Sequence, residues 1–283
     1  MRMIPSYRIS KELRKKQRFQ NKTIDEIPSH EWEGIRQRIL KLQSPIPEVS
    51  IIIIAWNEER NLLCTLDSLS ELKPNYSIEI IVVDNNSTDS TAEIIKESGA
   101  QYVLETTQGY AAARQAGLKV AKGKFIMSGD ADTLYPPDWV NSMVDPLQEQ
   151  GVVCTSGLYA FYTEGSGHPL SLRLYQIAKH ISVLMKAAKR PHLVCMGGTM
   201  GFKKETSDKV GGYDLSVVRG SDGTLAWELG HHGKISIVMG RKGMVWTSMR
   251  RTMKDGNLWT AFVRRFRKDI KPFFEYFTTQ KSR

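Results

Sequence analysis

An open α/β architecture, a mostly parallel twisted sheet with helices on both faces, follows from three features of this 283-residue sequence. Two runs, VSIIIIA at 49–55 and IEIIVVD at 78–84, are almost continuously apolar rather than alternating, which marks strands buried on both faces. Stretches of helical periodicity separate the apolar runs. Each run also ends in a short turn rich in Asp, Asn and Glu, at the sheet edge where open α/β folds bind their ligands.

The elements follow in order. Residues 1–47 read as a basic extension whose spacing predicts one helix over Glu31–Leu42, and Ser44-Pro45-Ile46-Pro47 breaks the chain before the first strand. Strand Val49–Ala55 leads to a helix over Asn61–Leu72, a strand over 78–84, and a helix over Thr91–Glu97. A strand over Tyr102–Leu104, a helix over Ala111–Ala121 and a fourth strand over Lys124–Ser128 complete a βαβαβαβ half over residues 48–150. Beyond Gly151 the rhythm loosens, with helices expected over Leu170–Lys189 and Asp222–Gly230 in a second half spanning 151–250. Leu170, Leu174, Ile177, Ile181 and Leu184 recur at helical spacing with Arg173, Lys179, Lys186, Lys189 and Arg190 among them, which predicts core packing or, as the alternative, a basic amphipathic helix that with the basic tail lies on an anionic membrane surface. Residues 251–283 form a basic amphipathic tail.

Charge is unevenly spread. The formal net charge is +10, yet residues 49–233 hold more acidic than basic side chains, and the excess of Lys and Arg lies at the two ends. Basic ends on an acidic body suit phosphates or an anionic lipid surface. Nucleic acid is not expected, because no helix-turn-helix, zinc-finger or RNP-like pattern is present. Cys64, Cys154 and Cys195 lack CxxC or Cys/His spacing, which predicts buried free thiols rather than a disulfide framework or zinc site. No stretch reaches the ~18 apolar residues of a membrane span. The basic start has no apolar core of a secretory signal, so the expected location is cytoplasmic, with peripheral contact at the inner face of the membrane.

The residues after each strand carry the chemistry. The first turn reads Ala55-Trp56-Asn57-Glu58-Glu59, the second Asp84-Asn85-Asn86-Ser87-Thr88-Asp89, and the last Gly129-Asp130-Ala131-Asp132. Three acidic turns on one edge repel each other unless a cation or a donor-rich ligand intervenes. Asp130 and Asp132, separated by Ala131, form a hard-oxygen pair suited to Mg²⁺ or Mn²⁺, which leaves positions for phosphate oxygens and water. Asp84 either bonds its own turn or accepts a hydrogen bond from a nucleobase or ribose. Neither GxGxxG after a strand nor GxxxxGK[ST] occurs, which counts against dehydrogenases and P-loop enzymes. Arg114, on the helix entered through Gln108-Gly109-Tyr110, is placed to reach back over a nucleotide.

VSIIIIAWNEERNL, IEIIVVDNNSTDST, GYAAARQAG and KGKFIMSGDADT, in this order, resemble the successive motifs of the family 2 glycosyltransferases of GT-A fold. The resemblance is strongest over about residues 49–135 and extends more weakly to GGTMGFKKETSDKVGGYD and RGSDGTLAWELGHHGK. It implies transfer of a single sugar from a nucleoside diphosphate, UDP before GDP, to an acceptor hydroxyl with inversion, in cell-surface glycan or glycolipid synthesis. By the same resemblance, residues 48–150 hold the donor and 151–250 the acceptor. The nucleoside lies against Ala55, Trp56, Asn57, Glu59 and Asp84, with Arg114 near base or ribose. Asp130-Ala131-Asp132 matches the DxD motif, which implies Asp130 near the ribose or donor sugar and Asp132 on the metal, with Asp130 the further candidate ligand. Ser221-Asp222 stands where relatives have an acidic pair, making Asp222 the expected general base at a helix start behind a serine cap. Where many relatives carry a metal-binding histidine, this chain reads GMVWTSMRR, and Arg250 or Arg251 is expected to neutralise the diphosphate instead. The QxxRW motif of processive synthases is absent.

Two other readings compete. A nucleotidyltransferase would release pyrophosphate and should carry a Gly-rich basic loop, which is missing. A non-catalytic sugar-nucleotide or glycan-binding module would keep Asp84 and lose the DxD pair or the base, whereas all three aspartates are present.

Overall fold

The computed structural model describes residue 7 and residues 9–162 and 170–248. Arg250, Arg251 and the tail over 251–283 lie outside the described residues.

The N-terminal segment folds as helices α1 (Lys11–Lys15) and α2 (Ser29–Leu42) with two 3₁₀ turns between them. Then come β1 (Val49–Ala55), α3 (Glu59–Leu69), β2 (Ile78–Asp84), α4 (Thr91–Glu97), β3 (Gln101–Leu104), α5 (Tyr110–Val120) and β4 (Phe125–Asp130). The remainder comprises β5 (Thr133–Leu134), α6 (Trp139–Val144), β6 (Val152–Ser156), β7 (Tyr159–Tyr162), α7 (Leu170–Lys189), β8 (Met200–Lys203), α8 (Lys204–Lys209), α9 (Ser221–Gly230), β9 (Lys234–Ile237) and β10 (Val245–Ser248).

A seven-stranded sheet runs in the order β3-β2-β1-β4-β8-β6-β9. It is mostly parallel, with β8 antiparallel to both β4 and β6. Every residue of β1 and β2 is buried, as continuous apolar strands require, and each buried aliphatic side chain contributes about 1.5–3 kcal/mol. The order reverses at β1: the chain builds out through β2 and β3 on one side of it and then crosses to lay β4 on the other. That switch opens the crevice at the carboxyl edge. A three-stranded sheet, β5-β10-β7, packs beside it.

Several sequence expectations need adjustment. Strand β4 runs on through Gly129 to Asp130 rather than ending at Ser128, because both residues stay in register with Ile53 and Ile54 of β1; only a glycine fits at 129, where a Cβ would lie 2.4 Å from the Tyr135 hydroxyl. Gly220, with φ of +85°, caps α9, and Ser221 is the first residue inside the helix, so no serine cap forms. The core-packing expectation for the leucine stripe of α7 is overturned. Leu174 (59%), Ile181 (49%) and Leu184 (37%) are exposed, and the helix instead buries Leu172, Gln176 and His180. The i, i+4, i+8 row 172/176/180 faces the protein, so the leucine row faces out.

The N-terminal segment is built into the body. Ile9, Leu13, Phe19, Trp32, Ile35 and Ile39 join the same apolar cluster as β1 and α3. Asp67 of α3, fully buried, is ion-paired to Lys16 (2.9 Å), Arg18 (3.0 Å) and Arg38 (3.2 Å). Gln43 acts as an extra rung beside β2: its amide donates to the Ile80 and Gly99 carbonyls (both 3.1 Å) and accepts from Ile80 N (2.8 Å). All three cysteines are free and buried. Among the described residues no helix is long and apolar enough to cross a membrane.

Candidate functional site

The parallel register brings the three acidic turns to one edge. Ala55 pairs with Asp84 and Ile54 with Asp130, so β1, β2 and β4 end side by side. Strand β8 arrives antiparallel, opposing Met200 to Ser128, and so delivers Gly197 and Gly198 to the same edge. Strand β10 lies against β5, where Ser248 N donates to the Asp132 carbonyl at 3.1 Å.

The first two turns are stitched together. Asn57 and Asn86 both adopt left-handed backbone, with φ of 51° and 61°, a conformation asparagine tolerates. Asn57 N donates to Ser87 Oγ (3.0 Å), and Asn57 Oδ1 accepts from Thr88 N (2.8 Å). Glu59 accepts from Ser90 N at 3.2 Å. Asp84 is buried, and its Oδ1 accepts from Ser87 N (3.0 Å), which is the self-bonded turn. Trp56 stands half-exposed at the rim.

The central feature is a buried ion cluster. Arg114 projects from α5, its side chain 3% exposed, and its Nη2 donates to Asp130 Oδ1 at 2.8 Å. Its Nε donates to Ser128 Oγ (2.9 Å) while lying 3.1 Å from Asp222 Oδ1. Because the Nε proton is spent on Ser128, Asp222 Oδ1 is buried without a hydrogen bond. Burial pushes the Asp222 carboxyl above its ordinary range, and Arg114 offsets only part of this. Burial alone would loosen the Arg114 proton, but Asp222 and Asp130 outweigh it, so the guanidinium stays charged.

Two glycines make room for this cluster. A Cβ at Gly197 would fall 1.9 Å from Arg114 Nη2, and one at Gly198 would fall 2.8 Å from Asp130 Oδ2. Tyr135 braces Asp130 from behind, its hydroxyl accepting from Asp130 N (2.8 Å) and donating to the Asp130 carbonyl (3.1 Å). Asp132 is 7% exposed, with the Thr247 hydroxyl donating to its Oδ1 at 3.3 Å, and Ala131 beside it is buried.

Beyond Asp222 opens a cleft of about 550 Å³, walled by Leu193, Met196 and Trp227. Trp227, half-exposed, meets the His192 and His231 rings edge-on at 4.6 and 5.0 Å. His231 and His232 are exposed at the end of α9. Among the described residues no group of three or more His, Cys, Asp or Glu is arranged to hold an ion. The carboxylates of Asp130 and Asp132 are hard oxygen donors of the kind a divalent cation takes one or two at a time, completing its shell with phosphate oxygens and water, though Asp130 Oδ1 is already engaged by Arg114.

The fold that carries this site is that of the GT-A glycosyltransferases. The family model for glycosyl transferase family 2 matches residues 50–211. The chain therefore belongs to family 2 of the glycosyltransferases, with the GT-A fold. Glycosyltransferase AglE of Haloferax volcanii is 25% identical over 188 residues, 64% of this chain and 60% of that protein. The chain thus spans less than two thirds of that relative. The mannosyltransferase PcManGT of Pyrobaculum calidifontis, solved with GDP-Man and Mn²⁺, superposes with a TM-score of 0.57 at 19% identity, covering 84% of this chain and 74% of that one. S. aureus TarS 1–349 with UDP-GlcNAc gives 0.56 at 17% identity, covering 71% and 58%.

Sequence reasoning singled out Asp130, Arg114 and Asp222 separately, and the fold brings them into contact. It missed Tyr135, Ser128 and the specific task of Gly197-Gly198. The glycine pair was visible as a motif, but its use depends on Arg114 of α5, a residue far earlier in the sequence.

Proposed function

We propose that this chain is an inverting glycosyltransferase that moves one sugar from a nucleoside diphosphate, UDP before GDP, to an acceptor hydroxyl in cell-surface glycan or glycolipid synthesis. The observation that carries this reading is the ion cluster itself, in which one guanidinium touches both the first DxD carboxylate and the candidate base. The nucleoside lies along the Ala55–Glu59 turn beside Trp56 and Asp84. The backbone geometry of that turn, held by Asn57 and Glu59, keeps the floor rigid.

Asp132, with Asp130, holds Mn²⁺ or Mg²⁺, which when bound supplies positive charge to the departing diphosphate. Asp222 faces the cleft walled by Trp227 and accepts the proton of the attacking acceptor hydroxyl, a contribution of about 10²–10⁴-fold. Its raised affinity for protons suits a base, and Arg114 keeps the carboxylate form accessible. Arg250 or Arg251 adds further positive charge to the diphosphate. The outward apolar row of α7, with Lys186, Lys189 and Arg190 at its end, supports a lipid-linked acceptor reached from an anionic membrane surface.

The test is thermal stability with UDP, GDP, CDP and dTDP, each with and without Mn²⁺. A ligand at about 100 times its dissociation constant adds about 2.7 kcal/mol, a visible shift in melting temperature. The expected result is a manganese-dependent rise with one nucleotide, lost in Asp132→Ala. No rise with any nucleotide would overturn the donor-site reading and favour a glycan-binding module.

A further inference from the structure

We infer that Arg114 is a positioning residue: it fixes Asp222 relative to Asp130, and so sets the distance between the donor carboxylates and the base, rather than contacting the nucleoside. The inference rests on the glycosyl-transfer reading above.

Four observations carry it. The guanidinium is almost fully enclosed, and its Nη2 and Nε are taken by Asp130, Ser128 and Asp222. A side chain so committed has little surface left for a base or ribose. The three partners come from two elements, β4 and α9, while Arg114 itself sits on α5, so one fork ties three separately folded pieces. Gly197 is packed flush on the guanidinium, with a notional Cβ 1.9 Å from Nη2 and 2.2 Å from Cζ, so the chain gives up a side chain to admit it. Asp222 Oδ1 is buried with no hydrogen bond, so the guanidinium charge is the contact that holds this oxygen.

Without Arg114 the two carboxylates would repel across a low-dielectric gap and Asp222 would swing away. Lysine supplies the charge but not the planar fork, so it can satisfy one carboxylate at a time.

The experiment compares wild type, Arg114→Lys, Arg114→Met and Gly197→Ala, with folding checked by circular dichroism. Turnover is read as nucleoside diphosphate released from UDP-GlcNAc, UDP-glucose or GDP-mannose, the sugar passing to water in place of the acceptor hydroxyl, and donor affinity as the calorimetric dissociation constant of UDP or GDP with Mn²⁺. A misplaced base costs about 10²-fold in turnover, so Arg114→Met should lose about that much, Arg114→Lys about tenfold, and Gly197→Ala a similar amount, with nucleotide affinity held within about threefold. Partial recovery in the lysine variant is the signature of a charge that positions. If Arg114→Met does not fold, Arg114→Lys and Gly197→Ala carry the same comparison.

Nucleotide affinity that falls in step with turnover would make Arg114 a donor contact and overturn the inference. Unchanged turnover in the folded variants would do the same. A wild-type protein that binds nucleotide but releases none from any donor removes the transfer reading and this inference together, an outcome distinct from either of those.

Discussion

Asp222 holds a carboxylate in surroundings that resist charge. Its proton affinity is raised in the folded state, chiefly by burial, so the fold favours the protonated form and loses stability as pH rises through the raised value. At about pH 7.5 Asp222→Asn should therefore be as stable as wild type or more so, with the difference shrinking toward about pH 3, below the ordinary aspartate range, where Asp222 is protonated in both states. Urea denaturation at the two pH values measures this. A wild type more stable than the variant at neutral pH would mean that the contact with Arg114 outweighs the burial of charge. Turnover should move oppositely: the variant loses transfer, and the wild-type rate falls on the acid side above the range of a free aspartate.

At the level of elements, α7 shows how periodicity can name a helix and leave its orientation open. The apolar row 174/181/184 and the row 172/176/180 both fit a helical repeat, and the fold buries the second. The exposed row ends where Lys186, Lys189 and Arg190 begin, an arrangement on which the proposed contact with an anionic bilayer rests. Ile181→Asp with Leu184→Asp, at positions already partly open to solvent, should change stability by no more than about 0.5 kcal/mol each. Co-sedimentation with phosphatidylglycerol vesicles should be lost in this double variant, and neither protein should bind phosphatidylcholine vesicles. Equal sedimentation of both proteins, or none by wild type, would separate α7 from any membrane contact. The glycine-bearing segment before β8 makes a parallel point. Its glycines belong to a weak family motif in the sequence, and only the antiparallel pairing of β8 with β4 sets them against Arg114.

Across the whole molecule, the N-terminal segment is part of the core rather than an appendage. Asp67 gathers Lys16, Arg18 and Arg38 around a carboxylate with no exposure, and breaking such a buried pair costs about 3–5 kcal/mol. Asp67→Ala should lower the unfolding free energy by that order in urea titration; a loss below about 1 kcal/mol would show the cluster to be idle. The sequence by itself determined the strands β1 and β2 to the residue, the alternation that makes the sheet parallel, the family, and the placing of three acidic turns on one edge. These are local or periodic properties, written in runs of neighbouring residues. Only the tertiary structure decided that Asn57 and Glu59 stitch two turns, that Asp84 bonds its own turn, which face of α7 is buried, and that residues 9–47 complete the core. It alone also joined Arg114 to Asp130 and Asp222. Those are contacts between elements far apart in the chain, and no spacing within a single element encodes them.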